Sequence, residues 1–446
     1  MNRKLITLMM VMLSIAFFQN AYAVEMSESG LVEIHGFITQ GYIHTSDNNM
    51  FADTEDDGTT QFNEVGLNFS SDVSERLRLG VQFFARDLGK MGDMEVSIDW
   101  AFADYSFYDW LNLRAGKVKL PFALYNTERD VDILRTFVFL PQSFYFEGWR
   151  DSANALNGAG FYGYIPAGFI GNFEYQLYSG TSSVPADGGV ARLLQDETPV
   201  WMDVDVTYVD VKYTSTGQMV WDSIFGLDGV RLVGGAWGIE FDAHCDYNNG
   251  SILPYFDQSG NPTGAFGMAK SKSTFNAKVF TYNGSMEVAL GDFVFAAEYV
   301  KFKYNLTLPV DTTISSTGVV ASKFDSLGYY GSLTYRFSEW LEGGMYYSEY
   351  YSDTDDKDGK KKAADYIASG GLTGLAPGME HNQWSKDLCV SLRFDISTNW
   401  LFKLEGHKIN GSALLYSDDG NVNAAGTGLD YEEDWYMTAA KLSFNF

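Results

Sequence analysis

The chain has 446 residues, with 31 lysines and arginines against 58 aspartates and glutamates, so its formal net charge is −27. This excess of acid excludes a nucleic-acid partner, which requires a basic footprint. It also argues against an anionic membrane surface as a partner. Aromatic residues make up 16% of the chain, and glycine is frequent (45) while proline is rare (9).

The first 23 residues have the three parts of a secretory signal peptide. Met1–Lys4 is basic, Leu5–Phe18 is apolar, and Ala21–Ala23 reads A-x-A, so we expect cleavage after Ala23. Removing Arg3 and Lys4 leaves 29 basic residues against 58 acidic ones, a net charge of −29 for residues 24–446, which we treat as one domain. No uncharged stretch of that part reaches the about 20 residues that a membrane helix needs.

Apolar and polar residues alternate with the period of two that is typical of strands. In 77–86, for example, Leu77, Leu79 and Phe83 share one face, while Arg78 and Arg86 share the other. The pattern predicts an all-β chain of about 16 strands, with 14 or 18 also acceptable and the pairing between about 200 and 305 left open. The predicted strands are 31–45, 61–71, 77–88, 94–107, 111–121, 158–165, 172–180, 217–224, 230–242, 273–283, 286–291 running on to 293–304, 325–337, 340–352, 384–395, 400–411 and 435–446.

So many strands with one polar face favour a transmembrane antiparallel β-barrel over a soluble sandwich. The apolar face would contact lipid, the polar face would line a watery lumen, and closure would leave no unpaired strand edge. The connections alternate between short and long, so the short turns would be periplasmic and the long loops extracellular. The predicted long loops are Ser46–Thr60, Pro121–Asn157, Thr181–Thr216, His244–Lys272, Asn305–Lys323, Asp353–Gln383 and Ser412–Glu433.

The last strand alternates up to its final residue, Phe446. A terminal aromatic residue on such a strand resembles the C-terminal signal of Gram-negative outer-membrane β-barrels. Together with the signal peptide it implies a bacterial outer-membrane location, with lipid and lipopolysaccharide as partners. Acidic residues in the long loops are read first as solvated charges, and alternatively as groups that bridge to lipopolysaccharide through divalent cations.

The segment from Arg114 to Asn157 resembles the fifth strand and third loop of the trimeric 16-stranded Gram-negative porins. In that family the third loop folds into the barrel and narrows it, so the resemblance implies a channel and a homotrimer. A weaker similarity to the phosphate-selective porin branch rests on Arg114, Gly116, Lys117, Lys119, Pro121, Phe122, Asn126, Arg129 and Asp130.

Alternation places Asn112 and Arg114 in the lumen and breaks at Gly116. A β-bulge there would turn Lys117 and Lys119 inward and Val118 and Leu120 outward, which avoids two lysines in lipid at about 2–4 kcal/mol each. A basic wall facing a loop of mixed charge would form a constriction, although the same charges could instead be wetted and paired with one another. The predicted constriction residues are Arg78, Arg86, Arg114, Lys117 and Lys119 on the wall and Glu128, Arg129, Asp130, Asp132 and Arg135 on the loop.

These features predict a porin that forms a water-filled channel for passive diffusion of small hydrophilic solutes and ions, with a mild preference for anions. The alternatives are a structural or adhesive barrel with a plugged lumen and, less favoured, an outer-membrane enzyme. No catalytic motif is present, and we expect no cofactor and no metal site. Cys245 and Cys389 are not expected to form a disulfide bond. Thr354–Asp365 mimics a calcium loop only in part.

Overall fold

The structure is a computed structural model. It describes residues 24–25, 31–185, 188–196, 204–247, 252–256, 262–268, 272–309, 318–368, 376, 378–416 and 431–446. The expected signal peptide lies outside these residues, as does 417–430 in the last long loop. Within the described part of the chain, no helix is both long enough and apolar enough to cross a membrane.

Sixteen antiparallel strands form a closed barrel, which confirms the predicted fold and strand number. Each strand pairs with its neighbours in the chain, and the last strand returns to the first, with Phe37 opposite Asn445 and Thr45 opposite Met437. The strands are β1 Leu31–Thr45, β2 Phe62–Ser74, β3 Leu77–Leu88, β4 Ser97–Tyr108, β5 Leu111–Lys119, β6 Ala155–Pro166, β7 Asn172–Thr181, β8 Val204–Asp222, β9 Val230–Tyr247, β10 Lys272–Leu290, β11 Phe293–Pro309, β12 Val319–Ser338, β13 Leu341–Tyr351, β14 Trp384–Asp395, β15 Trp400–Asn410 and β16 Asp434–Asn445.

Short turns at one end and long connections at the other follow the predicted alternation. The long connections contain the helices Gly189–Asp196 and Lys360–Ala368. They also contain a small hairpin of Ile252–Phe256 and Pro262–Met268. The connection between β5 and β6, residues 120–154, is called L3 below.

The outer surface carries the aromatic girdle that membrane barrels place at the lipid–water boundary. Large aromatic side chains are exposed beside the short turns, and tyrosines such as Tyr42, Tyr347 and Tyr436 are exposed towards the opposite end. Between them lie exposed aliphatic side chains, including Leu177 and Val390. The residues at the short-turn end are Tyr108, Trp110, Phe169, Phe225, Phe293, Phe337 and Trp340.

The strand assignments between 200 and 305 are only partly correct. β8 begins at Val204 rather than at residue 217, and the two predicted pieces 273–283 and 286–291 form one strand, β10. β11 then begins at Phe293 after a turn in which Gly291 has φ +61°.

The cause is a reversal of polarity in the long strands. β8 to β12 contain 17 to 20 residues, whereas a bilayer is crossed by about 9–11. Near the long loops, β9 turns Trp237 and Phe241 into the barrel and buries them. Its Glu240 lies on the outer face and pairs with Lys278 of β10, 2.7 Å away. The expectation of an apolar exterior and a watery lumen is therefore wrong for this part of the barrel.

Candidate functional site: the loop folded into the barrel

L3 lies inside the barrel, although it connects two strands at the long-loop end. It contains the one-turn helices Gln142–Tyr145 and Arg150–Ala153, and every residue from Thr136 to Phe146 is buried. This central stretch carries no charge and is rich in aromatic side chains. Burial in the lumen therefore removes apolar surface from water, which stabilises this position of L3 by about 25 cal/mol for each Å² buried.

A cluster of four charged side chains, of which Arg86 and Arg129 are buried, joins L3 to β3. Arg86 of β3 contacts Glu147 Oε2 at 2.8 Å, and Arg129 of L3 contacts Glu147 Oε1 at 2.7 Å. Arg129 also donates to the Tyr145 carbonyl oxygen at 3.0 Å, and Asp151 lies 3.8 Å from Arg86. Glu147 thus bridges the wall and the loop. Together these contacts define the first cluster.

A second cluster joins L3 to β4 and to the end of β5. Asp130 of L3 pairs with both Lys119 and Arg150. Asp99 of β4 lies 3.3 Å from Lys119 and 3.8 Å from Arg150. The Arg150 guanidinium also lies over the ring of Phe84, 4.3 Å from its centroid. Two carboxylates and two cations therefore balance within this second cluster.

A third cluster fixes L3 to β15 and β16, which are close to β3 because β16, β1, β2 and β3 are consecutive in the closed barrel. Asp132 contacts Arg135 at 2.9 Å, Lys441 of β16 at 2.9 Å and Lys403 of β15 at 3.6 Å. Lys441 also pairs with Glu64 of β2. The side chains of Lys403 and Lys441 are 0% and 1% exposed, so these charges depend on their partners within the barrel.

Further contacts of L3 reach most of the wall. Glu298 of β11 accepts from the Leu124 amide at 3.0 Å and from the Tyr145 hydroxyl at 2.6 Å. Glu405 of β15 accepts from the amides of Val138 and Phe139 at 3.2 and 3.0 Å. With the three clusters, contacts extend to at least thirteen strands, β2 to β5 and β8 to β16. The remaining ones are Phe139 on Phe62, Pro121 with Thr216, Phe122 on Trp237, Tyr125 with Glu287, Ser143 with Tyr329, Thr136 with Glu342 and Thr136 with Ser391.

Neighbouring charges set the ionisation of the loop carboxyls. Burial alone would raise the pKa of Glu147, but the guanidinium groups of Arg129 and Arg86 outweigh it and lower that pKa to about 2. Burial likewise opposes ionisation of Asp130, and Arg150 and Lys119 hold its pKa well below the usual range. Both carboxylates therefore remain charged at neutral pH.

Several predicted constriction residues lie outside the three clusters. The Arg78 side chain is half exposed near the short-turn end, and it lies 4.0 Å from Asp72 and 3.9 Å from Glu33. Arg114 pairs with Asp104 of β4 at 2.6 Å. The exposed Glu128 has no ion pair among the contacts of the described residues. Of the seven others, Lys117 lies outside the clusters, and the remaining six belong to them: Arg86, Lys119, Arg129, Asp130, Asp132 and Arg135.

The expected bulge at Gly116 is wrong. Pairing runs from β5 to β4 and β6 without a register shift at this point, and Gly116 adopts φ +133°. Lys117 therefore stays on the outer side of β5, opposite the exposed Asn157, and donates to the Ile98 carbonyl. Near the strand end, a lysine on that side costs only about 0–1 kcal/mol.

Val118 and Leu120 consequently face the lumen. Both are buried, and they pack with Leu156 and Tyr178. Lys119 is the last residue of β5, and its ammonium group reaches Asp99 and Asp130 of the second cluster.

An apolar cavity of about 90 Å³ lies between L3 and the long strands. Apart from Asn126, Arg129 and Ser152, its lining is aliphatic or aromatic, with Trp237 and Phe302 among the wall residues. This part of the lumen therefore offers apolar surface to any solute that enters it.

No protein-family model matches the sequence, and no curated protein sequence matches it significantly. Solved structures do match over almost the whole chain. The anion-selective porin from Comamonas acidovorans is 10% identical and superposes with a TM-score of 0.53, covering 94% of this chain and 100% of that one. OprB of Pseudomonas putida is 11% identical, with a TM-score of 0.51 and coverage of 93% and 94%. The trimer form of OmpT of Vibrio cholerae is 10% identical, with a TM-score of 0.51 and coverage of 94% and 100%.

The chain has the fold of the 16-stranded outer-membrane porins. At 10–12% identity these similarities establish the fold alone. Within this porin fold, sequence reasoning found L3 and most of its ionic contacts, but not its anchors on β11, β15 and β16. Glu298, Lys403, Glu405 and Lys441 are not among the predicted constriction residues. Only the three-dimensional path of L3 identifies them as its partners.

Proposed function

We propose that this protein is an outer-membrane channel of the porin type, in which L3 narrows the lumen and small hydrophilic solutes and ions diffuse passively. The main support is L3 itself, which crosses the barrel. It is held by ion pairs to β3, β15 and β16 and by hydrogen bonds to Glu298 of β11, eight strands away from β3. The exposed aliphatic belt between two sets of aromatic residues supports insertion in a bilayer. No covalent chemistry is required of any residue.

The proposed constriction consists of L3 and the wall residues in its three clusters. These clusters contain seven cations, Arg86, Lys119, Arg129, Arg135, Arg150, Lys403 and Lys441, against six carboxylates, Glu64, Asp99, Asp130, Asp132, Glu147 and Asp151. Glu128, the remaining charged residue of L3, brings the carboxylates to seven and cancels this surplus of one positive charge. The wall residues alone are basic, with four cations against two carboxylates, and this supports a weak preference for anions. Charges farther than about 8 Å are screened at physiological salt, so the acidic outer loops should have less influence on ions at L3.

Planar-bilayer recordings test both parts of this proposal. The purified protein should insert in discrete conductance steps, and a KCl gradient should give a small reversal potential of the sign expected for anion preference. A cation-selective reversal potential would overturn the charge preference and leave the channel in place. The complete absence of steps would overturn the channel.

A barrel with a plugged lumen is the second candidate, and the burial of L3 favours it. Thr136 to Phe146 are all buried, and the lumen-facing Lys403 and Lys441 are almost fully enclosed. Such a barrel would act through its long loops and would conduct no ions, so the same recordings separate the two functions.

We also propose that the protein assembles as a homotrimer. The resemblance of 111–151 to the third-loop region of trimeric porins supports this assembly, as does the similarity in fold to a structure described as a trimer form. Light scattering of the detergent-solubilised protein tests it, since a monomeric mass would contradict the proposal.

A further inference from the structure

Three side chains with metal-binding atoms meet on the lumen face of β14 and β15. Cys389 is the direct cross-strand partner of His407, and Glu405 precedes His407 by two residues on the same face. Directly opposed residues bring their Cβ atoms to about 4.5–5.5 Å, and diagonal neighbours remain within reach of long side chains. The thiol, the imidazole and the carboxylate each place one ligand atom within 4.8 Å of the others.

The imidazole is oriented as metal-binding histidines usually are. Its Nδ1 lies 3.0 Å from Asp387, which also accepts from the Tyr346 hydroxyl at 2.9 Å. Metal-bound histidines commonly use a carboxylate in this way to fix the ring and its tautomer. His407 Nε2 is therefore directed towards the other two ligands, 3.4 Å from Glu405 Oε2.

Apart from this contact with Glu405, which lacks hydrogen-bond geometry, that nitrogen has no partner, although the His407 side chain is only 1% exposed. Leaving a buried polar group unpaired is unfavourable, and such groups in native proteins often mark an ion or a functional site. Cys389 is also completely buried and forms no disulfide bond. Geometry and the unpartnered nitrogen thus indicate the same position.

We propose that Cys389, Glu405 and His407 bind a zinc ion or a similar divalent transition metal inside the barrel. Sulfur, imidazole nitrogen and carboxylate oxygen are the ligand types of Zn²⁺, whereas Ca²⁺ and Mg²⁺ prefer oxygen alone. Three protein ligands leave a fourth position for water. The thiol loses its proton when it binds, so binding releases H⁺.

The site lies directly against L3. Glu405 accepts hydrogen bonds from the amides of Val138 and Phe139, and Phe137 packs on Tyr346 and Cys389. A metal ion here would hold the carboxylate that positions the loop. A cavity of about 20 Å³, enough for one water molecule, borders Asp387 beside the site.

Cobalt is the probe for the test because thiolate-bound Co²⁺ has a charge-transfer band in the near ultraviolet. Full-length protein in detergent micelles, freed of metal with a chelator, is titrated with Co²⁺ and then with Zn²⁺. One equivalent of Co²⁺ should produce the band, and Zn²⁺ should remove it. C389S and H407Q should lack the band, whereas C245S, which changes the other buried cysteine, should retain it.

A second measurement covers the case in which C389S or H407Q fails to fold. In the C245S protein Cys389 is the single thiol, and Zn²⁺ should slow its reaction with a thiol reagent at least tenfold. Absence of the Co²⁺ band from the wild type, persistence of the band in folded C389S, or an unchanged thiol reaction rate would each overturn the metal site.

Discussion

Changing Glu147 to alanine should release L3 from β3. The substitution leaves Arg86 and Arg129 without their shared carboxylate, and their side chains are only 7% and 3% exposed. Removing one partner of a buried ion pair costs about 3–5 kcal/mol. Arg86 retains Asp151 at 3.8 Å and Arg129 retains the Tyr145 carbonyl at 3.0 Å, so we take the lower end, about 3 kcal/mol. Because 1.4 kcal/mol is a factor of ten, the displaced state of L3 should become about 100 times more populated.

Single-channel recording measures this change as more frequent or longer openings to a larger conductance. E174Q is the matched control because it removes one carboxylate from the lumen face of β7, where the described contacts include no ion pair of Glu174. Its opening frequency should equal that of the wild type. If E147A and E174Q give the same openings, Glu147 does not hold the loop and the reasoning fails.

Three other substitutions or conditions test separate parts of the structure. L177R places a cation on the lipid face and should lower the free energy of unfolding by about 2–4 kcal/mol, measured by urea titration in lipid vesicles. The control Q176R changes the adjacent lumen-facing residue and should lower it by less than about 1 kcal/mol. Equal losses from the two variants would refute the assigned faces. Because the pKa of Glu147 is lowered to about 2 in the folded protein from an ordinary 4.5, its stabilisation of L3 is fully present above about pH 4.5 and is lost as the pH falls towards 2. The rise in conductance that comes from Glu147 should thus appear only below about pH 4, and a wild-type rise between pH 6 and 5 that is absent from E147A would contradict this. G116A should lower the unfolding free energy by about 1–3 kcal/mol, because Gly116 has φ +133° and an added Cβ would lie 2.1 Å from the Ala101 carbonyl oxygen. In the control G331A the added Cβ has no atom within 4 Å, so the unfolding free energy should change by less than about 1 kcal/mol.

The barrel could be predicted because its rule is local. In a strand crossing a bilayer, one face meets lipid and the other does not, so alternation is visible in the sequence without knowledge of the partner strands. The ends of β1, β3 and β14 were predicted to the residue. The short turns lie where the alternation is interrupted, so their positions allowed the order and direction of the strands to be predicted.

The long strands could not be predicted in the same way. Beyond the bilayer the exterior of β9 is wet and its interior packs on L3, so Glu240 faces outward and Trp237 inward. The alternation persists but its polarity is reversed. A prediction that assigns the apolar side to lipid misses strand residues with the reversed polarity. The predicted start of β8, residue 217, is therefore 13 residues after the observed start, Val204.

The constriction was predictable on L3 and on the wall next to it, where Arg86 and Lys119 were among the predicted residues. Charge in a loop that resembles a porin third loop pointed correctly to the residues that now form ion pairs with the wall. The partners Lys403 and Lys441 are more than 250 residues away in sequence, and only the fold brings them to Asp132. The Gly116 bulge failed because the desolvation cost assumed for Lys117 applies at mid-bilayer and not near the strand end.

Deletion of the middle of L3 tests the central claim most directly. A barrel in which a short glycine–serine linker replaces residues 123–151 keeps all sixteen strands but loses the material that crosses the lumen. In planar bilayers we expect small discrete steps from the wild type and steps several times larger from the deletion. Equal steps from both proteins, or none from the folded deletion protein, would contradict a channel whose width is set by L3.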